Sequence, residues 1–249
     1  MKPTRIIIIT ALLTLFICCA NTSMKKTAEV PQESPSTFAV SENNDNTPTD
    51  VRSFGLLGKV KEVRLSLREY TLGSEDDAWE SLDSLNMAFD KNGRVVRDYF
   101  ENLYQYDDKG NFTKGVSEKS KMERDEKGRI VLYENWMDEE DDEGFTMKFE
   151  YDTQGRMSKV EIGGWEHTIE HSFTYTDDNI YPDRINMEAE DEGDHYSTVI
   201  TYTYKKFDDK GNWTEREIYS VAKHTTEDDP NVDITELKRI ETRTIKYYN

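Results

Sequence analysis

Cysteine is almost absent from this chain of 249 residues, because Cys18 and Cys19 are the only two. The rest of the sequence therefore has no disulfide framework and no cysteine-ligated metal site. Basic residues are also few: 32 Lys and Arg stand against 51 Asp and Glu, for a net charge of -19. Because the phosphate backbone of a nucleic acid is neutralised by Lys and Arg, we expect no nucleic-acid partner. The sequence also lacks the G-x-S-x-G, P-loop and G-x-G-x-x-G motifs.

A long apolar stretch occurs at the N-terminus, at residues 6–17, after Lys2 and Arg5. It is shorter than the roughly 20 residues of a membrane-spanning helix, so it reads as a targeting segment. With the Cys18-Cys19 pair that follows, it resembles the signal of bacterial lipoproteins. The resemblance implies that residues 1–18 are a signal peptide and that Cys19 carries the lipid. An ordinary secretory signal is the alternative.

Residues 19–53 are rich in Ser, Thr, Asn, Glu and Pro and have no apolar period. Such a segment buries too little surface to offset its ordering entropy, so it is interpreted as a flexible tether after the lipidated cysteine. Residues 54–249 are long enough for one sizeable domain. Removal of residues 1–18 deletes two basic residues and no acid, which takes the charge from -19 to -21. Membrane attachment is therefore expected from the lipid and not from charge.

One pattern recurs along the domain, and residues 149–157, FEYDTQGRM, are its clearest copy. Aromatic residues alternate up to an Asp, a Gly follows three residues later, and Arg or Asn comes next. The Asp carboxylate can accept backbone N–H groups of a type I turn, and the Gly supplies the positive φ of a bulged hairpin. The predicted turn-forming residues are Asp90, Gly93, Asp107, Gly110, Asp125, Gly128, Asp152, Gly155, Asp208 and Gly211.

Other segments of the domain also have patterns that predict strands or irregularities in them. Residues 63–67 alternate apolar and polar, which predicts a half-buried first strand. The copy at residues 173–182 has lost its Gly and has a longer loop. Lys205 and Lys206 shift the aromatic parity before the last copy, which predicts a bulge. The alternating residues 239–248 are expected to pair with residues 213–221.

These copies resemble the YD repeats of the RHS family, over roughly residues 58–249. The start GKVKEV and the ending KGNW with TIKYY are also similar to small, uncharacterised envelope lipoproteins of Bacteroides-type bacteria. The fold class expected is all-β: an antiparallel meander of about ten to fourteen strands built from YD-like hairpins. Because each hairpin hides one face, the sheet is expected to be curled or barrel-like, with a two-layer sandwich as the alternative.

Two patterns suggest metal sites. His167 to His171 reads H-x-x-E-H, a zinc-peptidase motif that requires a helix. Here the residues alternate at period two, and on a strand the two imidazoles lie about 13 Å apart, too far for one metal. Acidic runs at residues 75–77, 138–143, 188–194 and 227–229 are interpreted as solvated hairpin loops, with weak calcium binding as the alternative. We expect no metal and no cofactor.

The sequence thus indicates a cell-envelope protein, anchored to the membrane by its N-terminal lipid, of unknown specific role. We expect a non-enzymatic binding or structural module for protein or glycan, acting through exposed aromatic side chains and strand edges. A carrier of a small apolar ligand inside a curled β-sheet is the alternative. A large interior cavity favours the carrier, whereas a filled core with an exposed aromatic patch favours the binding module.

Overall fold

A computed structural model describes residues 48–71, 80–98, 103–115, 117–136, 144–164, 167–191, 193–226 and 232–249. The predicted signal peptide, the predicted lipidation site Cys19 and most of the predicted tether lie outside these residues. Within the described residues, no helix has the length and apolar character needed to cross a membrane.

The described chain contains one short helix, α1 (Thr49–Ser53), followed by strands. The strands are β1 (Val60–Thr71), β2 (Glu80–Phe89), β3 (Val95–Arg97), β4 (Gln105–Tyr106), β5 (Phe112–Lys114), β6 (Lys121–Arg124), β7 (Ile130–Trp136), β8 (Gly144–Tyr151), β9 (Met157–Gly164), β10 (His167–Thr174), β11 (Arg184–Asp191), β12 (Asp194–Phe207), β13 (Trp213–Thr225) and β14 (Asp233–Tyr247).

Twelve strands form one antiparallel sheet in the order β3-β2-β1-β14-β13-β12-β11-β10-β9-β8-β7-β6, and β4 and β5 form a separate small hairpin. Neighbouring strands follow one another in the chain, with one exception. The exception is β1, which pairs with β14 from Val60↔Tyr247 to Thr71↔Leu237 and so joins the two ends of the domain. The prediction of an all-β antiparallel meander is confirmed.

One face of the sheet is buried from end to end. In β1, Val63, Leu65 and Leu67 are buried while the residues between them are exposed, as the alternation predicts. Leu65 and Leu67 belong to one buried cluster with Ile218 on β13 and Ile200 on β12, two strands that are not neighbours of β1 in the sheet. A single sheet can cover a face of this extent only by curling over it.

The curl brings the two edge strands, β3 and β6, towards each other without closing the sheet. Asp50 in α1 accepts the backbone N–H of Val95 on β3 at 3.2 Å and pairs with Arg124 on β6 at 2.5 Å. The β4–β5 hairpin stands between these edges in the chain, and its Tyr106 donates its hydroxyl to the carbonyl of Val95. The expectation of a curled sheet holds, but that of a barrel does not, because no ladder joins β5 to β6 in the described chain.

Two local predictions are confirmed. The β12–β13 register shifts on either side of Lys206, so the predicted bulge is present. Strand β14 pairs with β13 from Glu215↔Thr242 to His224↔Asp233, as expected for the last strand.

The start of the domain is earlier than composition indicated. The sequence predicts that residues 48–53 belong to the tether, but residues 49–53 form α1 after Pro48, and Asp50 and Val51 in this helix are buried. Val51 packs with Phe89 and Val95 in one apolar cluster. The packed domain therefore includes Pro48 and does not begin at Phe54.

Candidate binding surface at the turn end of the sheet

Four of the five Asp-x-x-Gly turns lie at one end of the twelve-stranded sheet, which we call the turn end, because they join alternate strand pairs of its meander. The remaining turn, at Asp107, joins β4 to β5 of the small hairpin, and its Gly110 lies beside Arg94, which follows the first turn. In the clearest copy, Asp152 accepts the Gly155 N–H at its carbonyl, and its backbone N–H bonds the Arg156 carbonyl at 2.8 Å. Its Oδ1 accepts the N–H groups of Gln154 and Arg156, both at 2.9 Å. The same backbone and carboxylate bonds recur in the other four turns, and all five glycines have positive φ.

In four of the five turns, the residue after the turn glycine donates to the second carboxylate oxygen of the turn aspartate. In three turns it is an arginine; for example, Arg129 Nε donates to Asp125 Oδ2 at 2.7 Å, and this bond lowers the pKa of Asp125. In the second turn it is Asn111, whose amide donates to Asp107 at 2.8 Å and lowers the pKa of that carboxyl. These carboxylates are used by the turn itself, which leaves them poor candidates for acid–base chemistry.

The tyrosine before a turn aspartate couples its repeat to the preceding one. Tyr151 donates its hydroxyl to the Ile130 carbonyl at 2.8 Å, and the Arg129 guanidinium lies 4.2 Å from its ring centroid. Tyr106 pairs with Arg94 and Val95 in the same way, and Tyr175 with Arg156 and Met157. Each pair combines a cation–π contact with a buried hydroxyl hydrogen bond. Burial raises the pKa of Tyr151.

This coupling is interrupted at the third turn, and both of its members change together there. Asn111 supplies no guanidinium after the second turn, and Arg124 replaces the tyrosine before the third. Arg124 then turns towards α1, where its two terminal nitrogens lie 2.5 and 3.0 Å from the Asp50 carboxylate oxygens. The departure from the repeat at Arg124 is thus the place where the N-terminal segment attaches.

The degenerate copy is structural as well. Tyr181 is buried and donates its hydroxyl to the Gly211 carbonyl of the neighbouring turn at 2.8 Å. Arg156 donates to the carbonyls of Asp177 and Asn179 and so replaces the missing turn bonds. The loop is therefore pinned to the turns on both of its sides.

Residues 48–59, which we call the strap, run across the turn end from the sheet edges to the chain terminus. Pro48 packs on Gly93 of the first turn so closely that a Cβ there would lie 2.0 Å from the proline. At the other end of the strap, the Asn212 amide accepts the Leu57 N–H at 2.8 Å and donates to the Leu57 carbonyl at 3.0 Å. The Lys59 carbonyl accepts the Tyr248 N–H at 2.8 Å.

Three apolar side chains of the strap are buried under this path. Val51, Leu56 and Leu57 are buried, and Leu56 belongs to the same apolar cluster as Phe89. Sequence reasoning missed the strap because its apolar residues follow neither a helix nor a strand period. The available signal was their concentration after Pro48, in contrast to the polar residues before it.

The H-x-x-E-H segment is strand β10, as its period-two pattern predicts. Glu170 pairs with Lys159 at 2.8 Å, and His171 is only 1 % exposed. Neither ring nitrogen of His171 has a hydrogen-bond partner among the described residues. Burial lowers the pKa of His171 to about 4, so the ring is neutral at pH 7. In the part of the chain that the structure describes, no three His, Cys, Asp or Glu side chains are placed to share a metal ion.

Most of the acidic runs, at residues 75–77, 138–143 and 227–229, lie outside the described residues. The run at 188–194 was expected to be a loop, but Glu188 to Asp191 extend β11 and Asp194 begins β12. Glu188 pairs there with His195 at 3.3 Å. The strands continue almost to the tip of this hairpin, so its carboxylates alternate between faces and do not converge.

Large side chains pack together in the interior behind the turn end. Tyr202, Tyr204 and Trp213 are buried together, and the Arg216 guanidinium lies 4.2 Å from the Tyr202 ring centroid. Arg216 also pairs with the buried Glu241 at 2.6 Å. An interior with stacked rings and an ion pair is unlike the apolar pocket expected of a carrier.

Exposed aromatic side chains, the other expectation, are few in the described chain. The exposed large apolar residues are Phe54, Leu103, Val232 and Ile234, and Phe54, at 37 %, is the aromatic among them. In the part of the chain that the structure describes, the aromatic residues of the repeat are used for packing and form no exposed binding surface.

Comparison with known proteins gives a likeness among solved structures. No model of a known protein family matches the chain, and no curated protein matches it. Among solved structures, the chain is similar to a porin-like protein from Bacteroides uniformis ATCC 8492, with 10% sequence identity and a TM-score of 0.40. The match covers 75% of this chain and 98% of the other.

Proposed function

We propose that this protein is a lipid-anchored component of the cell envelope that works by binding a protein and not by catalysis. In this proposal, Cys19 carries the lipid, the residues before the strap are the tether, and the β-domain presents the binding surface. The repeat belongs with the YD repeats, and the common hydrogen bonds of its five turns support that relationship.

The observation that carries the binding role is the strap on the turn end. The surface of the curled sheet already holds a peptide segment, through a carboxylate at Asp50, two backbone groups at Leu57 and buried apolar side chains between them. Backbone bonds that provide affinity, with pockets and charges that provide specificity, are the features of peptide-binding domains.

A structural role for the repeat supports the non-catalytic part of the proposal. The carboxylates and guanidiniums that give the repeat its polar appearance hold turns together, as Asp125 and Arg129 illustrate. The filled interior favours the binding module over the carrier of a small apolar ligand.

Binding is tested by capture from envelope extract on the immobilised mature chain without its lipid. The extract is divided, and one half is treated with protease and the other with periodate. We expect a retained component that protease removes and periodate leaves, and that binds saturably after purification. A component lost only on periodate treatment indicates a glycan and overturns the protein partner, and turnover of a captured component refutes the non-catalytic role.

The anchor is tested separately by metabolic labelling with a radioactive fatty acid. Cys19→Ala is expected to abolish the label, and the neighbouring Cys18→Ala is expected to retain it. The reverse result places the lipid on Cys18. If both variants keep the label, lipidation at this pair is contradicted.

A further inference from the structure

The strap lies on the turn end of the sheet and is bound to it by side-chain and backbone contacts, as a peptide ligand is bound to a receptor. Its helix, α1, spans five residues and has no side-chain cap at Pro48. Helices of this length are not stable alone, so α1 owes its form to the surface beneath it. We call the surface that receives the strap the groove.

The groove recognises three separate features of the strap. Arg124 and the Val95 N–H bind the Asp50 carboxylate, which is only 3 % exposed. The cluster around Phe89 receives the apolar side chains that follow it. The Asn212 amide pairs with the backbone N–H and the carbonyl of Leu57, as a neighbouring strand would.

The last contact depends on a difference between two turns. Asn111 and Asn212 occupy the same place in their turns, but the Asn111 amide binds its own Asp107. At the fifth turn the Tyr247 hydroxyl donates to Asp208 Oδ2 instead, and Asn212 reaches the strap. The Asn212 side chain is thereby directed at a peptide backbone.

The strap joins the sheet through a glycine with a backbone that other residues avoid. Gly58 has φ +81, and β1 begins two residues later at Val60. A short connection of this kind decides whether a terminal segment folds back on its own molecule or crosses to another, which is the geometry of domain swapping.

We propose that the groove is a peptide-binding site that also accepts the strap of a second copy of this protein, so that copies are linked strap to groove. The partner's strap brings the same carboxylate, apolar side chains and backbone groups, and no new contact is needed. The inference rests on the proposed protein-binding function and names the partner as this chain itself.

The groove is tested first with a labelled synthetic peptide of residues 47–58 added to the full mature chain. In the wild type, the attached strap competes at a high effective concentration, so binding of the peptide is weak. Asp50→Asn weakens the strap and leaves the groove intact, so we expect the peptide to bind this variant about tenfold more tightly. Leu56→Ala, a second change confined to the strap, is expected to act in the same direction. A peptide with Asn in place of the aspartate is the matched control and should bind about tenfold more weakly.

The link between copies is tested by light scattering after size-exclusion chromatography. Proline cannot adopt φ +81, so Gly58→Pro prevents the strap from folding back and is expected to give dimers whose fraction rises with concentration. Adding Asp50→Asn to this variant should return it to the monomer.

The outcomes separate the possibilities. Peptide binding without dimers overturns the second copy as partner and retains the groove. Equal binding of the two peptides, or no binding to either strap variant, overturns the groove itself. Neither result affects the capture experiment, in which an envelope protein can bind elsewhere on the domain.

Discussion

The turn geometry can be tested at a glycine where a substitution affects the backbone conformation and no side-chain contact. Gly128 has φ +78, and a Cβ built on it has no heavy atom within 4 Å. A side chain at this position meets no neighbour, so any loss of stability in Gly128→Ala comes from the left-handed backbone. That conformation costs a residue with a Cβ about 1–2 kcal/mol, and the stiffer unfolded chain of alanine offsets a part of this cost.

We therefore expect Gly128→Ala to lower the free energy of unfolding by about 1 kcal/mol, which is about 2–4 °C in Tm for a domain of this size. The measurement is thermal and urea unfolding of the mature chain. Gly163→Ala is the matched control, because Gly163 also has no neighbour within 4 Å and its φ lies outside the left-handed region. The control should leave the midpoint unchanged or raise it.

Two further glycines extend the series. Gly155→Val places a β-branched residue at φ +81 and should cost more than the alanine at Gly128. Gly93→Ala has the same backbone cost and also places a Cβ against Pro48. The loss of stability beyond that of Gly128→Ala therefore measures how tightly the strap packs on the first turn. If Gly128→Ala and Gly155→Val both unfold at the wild-type midpoint, the assignment of these turns is refuted.

Three other predictions concern side chains. Tyr151→Phe removes the bond to the Ile130 carbonyl and should cost about 0.5–1.5 kcal/mol in urea unfolding; an unchanged midpoint contradicts the coupling of repeats. Arg124→Met leaves the Asp50 carboxylate buried without its cationic partner, whereas Asp50→Asn leaves an arginine side chain that is 26 % exposed. Arg124→Met should therefore destabilise the protein more than Asp50→Asn does. The reverse order in the same assay would be inconsistent with this ion pair. His171 has a folded pKa of about 4, below its unfolded value, so the unfolded state binds more protons between pH 6.5 and pH 4. Stability present above pH 6.5 should thus be lost as the pH falls to 4, by up to about 3 kcal/mol relative to His171→Leu, and parallel pH profiles of the two proteins would disprove it.

The features that the sequence predicts well are local ones. The Asp and Gly of each turn lie within four residues, so their hydrogen bonds follow from the chain itself. The strand character of residues 167–171 and the bulge at Lys206 likewise depend on neighbours in sequence. The all-β meander follows from these local units, because short turns place consecutive strands side by side.

The features that the sequence does not reveal depend on distant residues. Nothing near Val60 indicates that its partner is Tyr247, and nothing near Asp50 indicates Arg124. Whether the sheet closes is decided by the fit between β5 and β6, two short strands without a strong alternation. The sequence assigns the tyrosines of the repeat to the core, and this assignment is correct in part. Their hydrogen bonds to the preceding repeat depend on the register of the folded sheet, which the sequence does not reveal.

The pairing of β1 with β14 has a consequence for how the protein is made. The first strand to be synthesised has its β14 partner only when the last strand follows, and the ladder between them extends over most of both strands. Contacts between such distant parts of a chain form late and slow folding. Until then β1 carries an unpaired edge beside apolar residues, the kind of surface that aggregates. Synthesis of β14 is thus a condition for the pairing of β1, and deletion of β14 is expected to leave this edge of β1 exposed in every copy.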